Sequence, residues 1–240
     1  LVKALMAQGV KLRFAMDLLA ALNGRIMSKA WEFTIDEKYR EQSCMMVMGS
    51  EGRGEQILKT DQDNGLILAD DAQWPDLMSH MQTLTDTLIQ LGYPPCPGNI
   101  MVSNPEWVAT VSQWKSNIAK WASDRDGDSL MKLAIMLDAH AVAGNPSLLE
   151  SVREELFERC SRDELLLSYF ARTALRFSTP LTLFGSLKKP QHGIDIKKGG
   201  IFPIVHGVRT MALERRIKAT STLDRLDALA ADGRLDRRFA

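Results

Sequence analysis

The sequence predicts an α+β fold, and three observations carry that prediction. Short apolar runs that stop at glycine or polar turns, read as strands, fall within the first 145 or so residues. Segments with apolar residues at helical spacing surround them. From Pro146 onward the pattern is helical except for one turn-rich loop. At 240 residues, with 45% hydrophobic and 25% charged side chains, the chain is ordinary for a globular protein with one large core or two modest ones. Lys plus Arg and Asp plus Glu both total 30, so the formal net charge is zero. Proteins that grip nucleic acid along its backbone usually show a basic excess, and no nucleic-acid partner is expected here.

The elements follow in order. Residues 1 to about 30 place Leu5, Leu12, Met16, Leu19, Ala20, Ile26 and Met27 at helical spacing, which reads as one long helix with Gly9 and Gly24 as the places for a break. Cys44–Met48 is an apolar run ending at Gly49-Ser50, a buried strand entering a tight turn, and Leu66–Ala69 is a second such run. A helix is expected over 72–91. The Pro/Gly segment 92–98 can be neither helix nor central strand. Helical spacing returns over 105–122, with Trp107, Val111, Trp114, Ile118 and Trp121 forming a core stripe. The apolar stretch 130–142 reads as a strand in its second half, ending at Gly144-Asn145-Pro146. Helices are then expected over 147–160, 162–177, 203–219 and 221–231, with a loop from Pro180 to Gly200. Ser161 is the expected N-cap of the second of these, with Glu164 completing a capping box, and Thr220 or Ser221 is expected to cap the last. The resulting division is a coupling or linker helix over 1–30, a mixed domain over 31–145 and a helical domain over 146–240.

Cys44, Cys96 and Cys160 are widely separated and form no zinc-type cluster, so they read as reduced thiols of a cytoplasmic protein, each a small buried hydrophobe. No apolar run approaches the ~20 residues that span a bilayer, and no membrane association is expected. The chain opens on Leu1 inside a helical pattern and stops soon after a turn, which reads as a piece of a longer protein.

Chemistry concentrates between Val47 and Leu68. A strand ends in Gly49-Ser50, with further glycines at 52 and 54, so the backbone can turn sharply and its N–H groups can approach a phosphate. A helix starting near Ser50 would add unpaired N–H donors, and Arg53 could fork onto phosphate oxygens. Asp61 and Asp63 then lead into the next strand. Positions i and i+2 of an extended chain share a face, and two carboxylates so placed repel unless a cation lies between them. Hard divalent ions suit such oxygens, and two of them about 4 Å apart can assist both the attacking and the leaving oxygen. A third carboxylate from a neighbouring strand is usual, and Asp138, an acid inside an apolar stretch, is the candidate. An Asp-x-Asp pair alone is most often solvated loop; the ordered series of strand, Gly-Ser, Arg, Asp-x-Asp and strand is what carries the signal. No GxxxxGK[ST] loop is present.

With Gly49-Ser50-x-Gly52-Arg53-Gly54-Glu55 followed by Thr60-Asp61-x-Asp63, the sequence resembles the DNA polymerase β-like nucleotidyltransferases. It is most similar to the DUF294 family, itself similar to the catalytic domain of PII-protein uridylyltransferase. The blocks 92–104, Asp138–Asn145 and Asp195–Arg209 extend the resemblance over most of the chain. The resemblance implies a polymerase β-like mixed sheet with flanking helices, then a C-terminal helical bundle that binds substrate. It implies transfer of a nucleoside monophosphate from an NTP to an acceptor hydroxyl of a protein or small molecule, with Mg²⁺ (or Mn²⁺) and release of pyrophosphate. Gly49 and Ser50 would hold the triphosphate with Arg53 beside them. Asp61, Asp63 and Asp138 would be the catalytic metal ligands. Lys197, Lys198 and Arg209 would help position nucleotide or substrate. The family commonly has Arg two residues after the third acid, where this chain has His140, and a neutral imidazole does not replace a guanidinium. The resemblance also implies upstream regulatory domains of the CBS or cyclic-nucleotide-binding kind, which members of the family often carry and which the N-terminal helix would couple to the catalytic part. The alternative expectation is a non-catalytic nucleotide sensor within a larger regulatory protein.

Overall fold

The computed structural model describes residues 2–56, 61–175, 196–236 and 238. Two compact units emerge. One comprises the chain up to Ile118 together with Asp138–Glu155. The other comprises Ala119–Leu137 and the residues from Leu156 on.

The first unit is built on a mixed four-stranded sheet in the order β3-β2-β1-β4. Strand β1 (Ser43–Val47) runs antiparallel to β2 (Asn64–Leu68) on one side and to β4 (His140–Gly144) on the other, and β2 pairs in parallel with β3 (Val108–Thr110). All five residues of β1 and all five of β2 are buried. This is why both read as continuous apolar runs rather than as alternating ones. Helices α1 (Val2–Ala7) and α2 (Leu12–Thr34) replace the single long helix expected at the N-terminus: the break falls at Gly9, while α2 runs through Gly24. Helices α2 and α5 (Leu77–Gln90) pack together over a core that includes Trp31, Met45, Leu66, Leu84 and Leu88. Tyr39, on the one-turn helix α3 (Glu37–Arg40), stacks on Trp74 at 4.4 Å, and Trp31 meets the same ring edge-on at 6.1 Å. Such aromatic pairs contribute about 0.5–1.5 kcal/mol beyond their buried area.

The helix expected over 105–122 needs correction. Residues Pro105–Trp107 form a 3₁₀ turn capped by Asn104, Val108–Thr110 form β3, and only then does α6 (Val111–Asp124) begin. Parallel pairing with β2 overrides a helical apolar spacing that the tryptophans keep by coincidence. Trp107 and Trp114 are nonetheless buried, and the Trp114 indole N–H donates to the Leu66 carbonyl at 3.0 Å.

Helices α7 (Gly127–Leu137), α8 (Pro146–Cys160), α9 (Glu164–Leu175), α10 (Phe202–Glu214) and α11 (Thr222–Ala231) are the remaining α-helices among the described residues. The expected capping box at Ser161 is replaced: the Asp163 carboxylate accepts from the Leu166 N–H at 2.9 Å, two residues later in the chain than predicted. Ser221 caps α11 as expected, accepting from the Asp224 N–H. Most of the expected 180–200 loop lies outside the described residues. In the second unit α10 packs on α9 and α11. His206 stacks on Phe170 at 4.7 Å, and Arg209 Nη1 lies 3.0 Å from His206 Nδ1. Arginine can only donate, so Nδ1 accepts, and the proton sits on Nε2, which donates to the Phe170 carbonyl at 2.9 Å.

Candidate active site

The site is assembled at one end of the sheet, where β1 leaves and β2 begins. The Met48 N–H donates to the Asp63 carbonyl at 2.8 Å, extending the β1–β2 ladder by one step past Val47 and Asn64. The chain then turns at Gly49, whose φ of +58° only glycine adopts freely. A Cβ there would lie 2.4 Å from Asp63 Oδ2, so the missing side chain at 49 is the space that the Asp63 carboxylate occupies. Residues Gly49–Gly52 form the one-turn helix α4. At Gly52 a Cβ would meet the Asp138 carbonyl oxygen at 2.1 Å, so the same turn is pressed against the backbone of the third predicted acid.

The two aspartates share a face for a reason visible in their neighbours. Gln62 and Asn64 alternate with them and point inward, and both are fully buried. The Gln62 N–H donates to the Pro94 carbonyl at 2.8 Å and its side-chain amide to the Tyr93 carbonyl at 3.0 Å. The Asn64 N–H donates to the Ile100 carbonyl at 3.0 Å, and its side-chain oxygen accepts from the Val102 N–H at 2.9 Å. These bonds strap the Pro/Gly loop 93–102 alongside and leave Asp61 and Asp63 on the opposite, accessible side. The loop delivers Cys96. One ligand atom from each of Asp61, Asp63 and Cys96 lies within 4.8 Å of the other two. Two carboxylates and a sulfur converging beside a glycine cradle fit a divalent cation.

Over residues 1–128 the sequence matches the family described as Putative nucleotidyltransferase DUF294, and over 164–240 the Putative nucleotidyltransferase substrate binding domain. The chain belongs to DUF294. No curated protein matches it.

Within this DUF294 site, Asp138 stands apart from the three converging groups. It occupies the junction between α7 and β4, is completely buried, and accepts from Arg53 Nη1 at 2.7 Å. Arg53 Nε donates to Glu55 at 2.7 Å. Burial alone would lower the Arg53 guanidinium, but the Asp138 and Glu55 carboxylates more than offset it and hold it above its ordinary value. Arg53, expected beside the triphosphate, thus bridges two carboxylates in this state. Ser50 Oγ accepts from the buried Gln56 amide at 3.2 Å. His140 opens β4 opposite Val47 and is exposed.

Two residues not expected in the site belong to the same neighbourhood. Cys96 is one: expected as a small buried hydrophobe, it is only half-buried, and its thiol is pushed up by burial and by the adjacent Asp63 carboxylate. Nothing in the lone cysteine gave a signal, although its loop stood out as a block. Glu51 is the other. It is buried on α4, and burial raises its carboxyl to about 7 against only a long hydrogen bond from Asn23. The Tyr93 hydroxyl donates to Asn23 at 2.9 Å, which joins α2, the turn and the loop in one polar chain.

The remaining predicted residues are in the second unit. Lys197 is exposed in the π-type turn Lys197–Ile201, its Nζ 5.8 Å from the Phe202 ring. The Lys198 side chain lies outside the described residues. Arg209 is buried against His206 and faces structure rather than solvent.

Proposed function

We propose that this chain is a metal-dependent nucleotidyltransferase that moves a nucleoside monophosphate from an NTP to an acceptor hydroxyl, uridylyltransferase-like, with release of pyrophosphate. The observation that carries this reading is the seating of Asp63 in the space left by Gly49. It puts the carboxylates that would hold metal within one residue's width of the backbone turn that would hold phosphate. Gly49 and Ser50 contribute backbone N–H groups and a hydroxyl to the triphosphate. The Gln56 amide already donates to Ser50 Oγ, so the Ser50 proton is left to donate to an anion. Asp61 and Asp63 would hold Mg²⁺ or Mn²⁺, which supplies charge neutralisation at the phosphates and activates the attacking oxygen. Asp138 first acts through Arg53, fixing its guanidinium beside the turn. Service as a third metal carboxylate would require Arg53 to move from Asp138 onto phosphate. Asp63 or Asp138 would take the acceptor proton. Lys197, Lys198 and Arg209 would serve nucleotide or substrate from the substrate-binding part of the chain. The acceptor is a protein or small-molecule hydroxyl, the setting cytoplasmic, and upstream CBS or cyclic-nucleotide-binding domains complete the proposed layout. Among the described residues no helix is long and apolar enough to cross a membrane.

The pairing of Asp138 with Arg53 favours one second reading, a nucleotide sensor that binds without turnover. Calorimetric titration of each NTP with Mg²⁺, with pyrophosphate followed in parallel and candidate acceptors supplied, separates the two. The expected result is metal-dependent binding that Asp61→Ala/Asp63→Ala abolishes, with pyrophosphate released. Binding without release across the acceptors supports the sensor. No metal-dependent binding to any NTP overturns both.

A further inference from the structure

Cys96 stands beside the two carboxylates with no part yet in the chemistry. Its position is not that of a loosely placed thiol. Pro95 and Pro97 restrict the chain on both sides of it. Its N–H donates to Met101 Sδ at 3.4 Å, its carbonyl accepts from the Asn99 N–H at 2.9 Å, and the loop is tied at both ends by Gln62 and Asn64. Gln62 and Asn64 alternate along the chain with Asp61 and Asp63, so the bonds that orient the carboxylates also set the sulfur. Among the described residues no other three His, Cys, Asp or Glu side chains bring ligand atoms this close together.

We propose that Cys96 is a metal ligand, binding through sulfur beside Asp61 and Asp63, and that it strengthens the site for softer divalent ions such as Zn²⁺, Co²⁺ and Cd²⁺ while adding little for Mg²⁺. The proposal rests on the reading of Asp61 and Asp63 as metal-binding carboxylates. Mg²⁺ demands six oxygens in near-octahedral geometry and gains little from sulfur, whereas soft and borderline ions gain strongly from a thiolate. Binding converts the thiol to a metal-bound thiolate and releases its proton to water. An all-oxygen site of the same size would rank these ions differently, so the sulfur determines metal specificity rather than merely adding a ligand.

The test uses the full chain without nucleotide and Co²⁺ and Cd²⁺ as probes, with near-ultraviolet absorption and calorimetry read together. Sulfur ligation gives a sulfur-to-metal charge-transfer band that carboxylates alone cannot give. The expected result is a saturable band in the wild type and in Cys44→Ala/Cys160→Ala, absent in Cys96→Ser. That substitution should weaken Cd²⁺ binding by about tenfold or more and leave Mg²⁺ affinity within about twofold. Cys44→Ala/Cys160→Ala keeps Cys96 as the sole cysteine, so a band in that variant assigns the sulfur even where Cys96→Ser folds poorly, and its absence there overturns the proposal. Binding of Co²⁺ that needs Asp61 and Asp63 but yields no band overturns the Cys96 assignment and leaves the carboxylate reading standing. Failure of every divalent ion to bind overturns the carboxylate reading itself.

Discussion

Glu51 occupies an environment that disfavours its charge. It is 8% exposed, on the one-turn helix α4, with an ordinary value of 4.5 raised to about 7 by burial. A carboxyl whose folded value lies above its unfolded one binds its proton more tightly in the folded state. The stability it confers is therefore full below about pH 4.5 and is lost as pH rises to about 7. Glu51→Gln keeps an acceptor for Asn23 and removes the titration. The variant is expected to match the wild type near pH 4 and to exceed it by an amount on the order of 3 kcal/mol at pH 8. Urea denaturation at both pH values measures this, and parallel profiles for the two proteins would show that the carboxyl is not buried in solution. Ionised Glu51 also pushes the Tyr93 hydroxyl upward, second to its burial, to about 12. Its charge is thus felt in the loop that carries Cys96.

At the scale of elements, α4 is a single turn held by what it lacks. Gly49→Ala places a methyl against a carboxylate that can rotate away, and adds the strain of a left-handed backbone, about 1–2 kcal/mol. Gly52→Ala meets the Asp138 and Val47 carbonyl oxygens at 2.1 and 2.7 Å, and backbone cannot turn aside. It is expected to lower stability by more than about 3 kcal/mol, visibly beyond Gly49→Ala in thermal melts, while Gly49→Ala has the larger effect on metal affinity relative to its stability loss. The reverse order would mean that Asp138 is not packed under the turn. Much of this region was legible beforehand: β1, β2, the strand half of 130–142 and the glycine turn all follow from apolar runs with polar or glycine ends. Strand β3 was not, because three residues between a 3₁₀ turn and a helix carry too little periodicity to oppose the Trp107-to-Trp121 spacing. Asp61 and Asp63 could be paired from the two-residue repeat of extended chain. The bond from Arg53 to Asp138 spans 85 positions, and no local pattern encodes it.

For the molecule as a whole, the change to helical texture at Pro146 does not coincide with the end of the first compact unit, whose second segment runs from Asp138 to Glu155. Leu149 and Val152 are buried, and Arg153 reaches the Ala139 carbonyl just after Asp138. A chain ending at 155 is therefore expected to melt cooperatively and several degrees above one ending at 145; equal melting temperatures would mark Asn145 as the true boundary. The burial of β1 and β2 on both faces has a consequence for assembly. In a half-buried sheet a slip by one residue turns greasy side chains into water and is rejected at once. Here a slipped β1–β2 pair would be just as well covered. Alignment must come from polar side-chain latches instead: Asn64 on Val102 and Trp114 on Leu66. Those latches sit in or beside the segment that aims the carboxylates. A chain that zips up out of step would thus look sound by its packing yet have no Asp63 at the Gly49 hollow, so correct assembly and chemical competence are reached in one event.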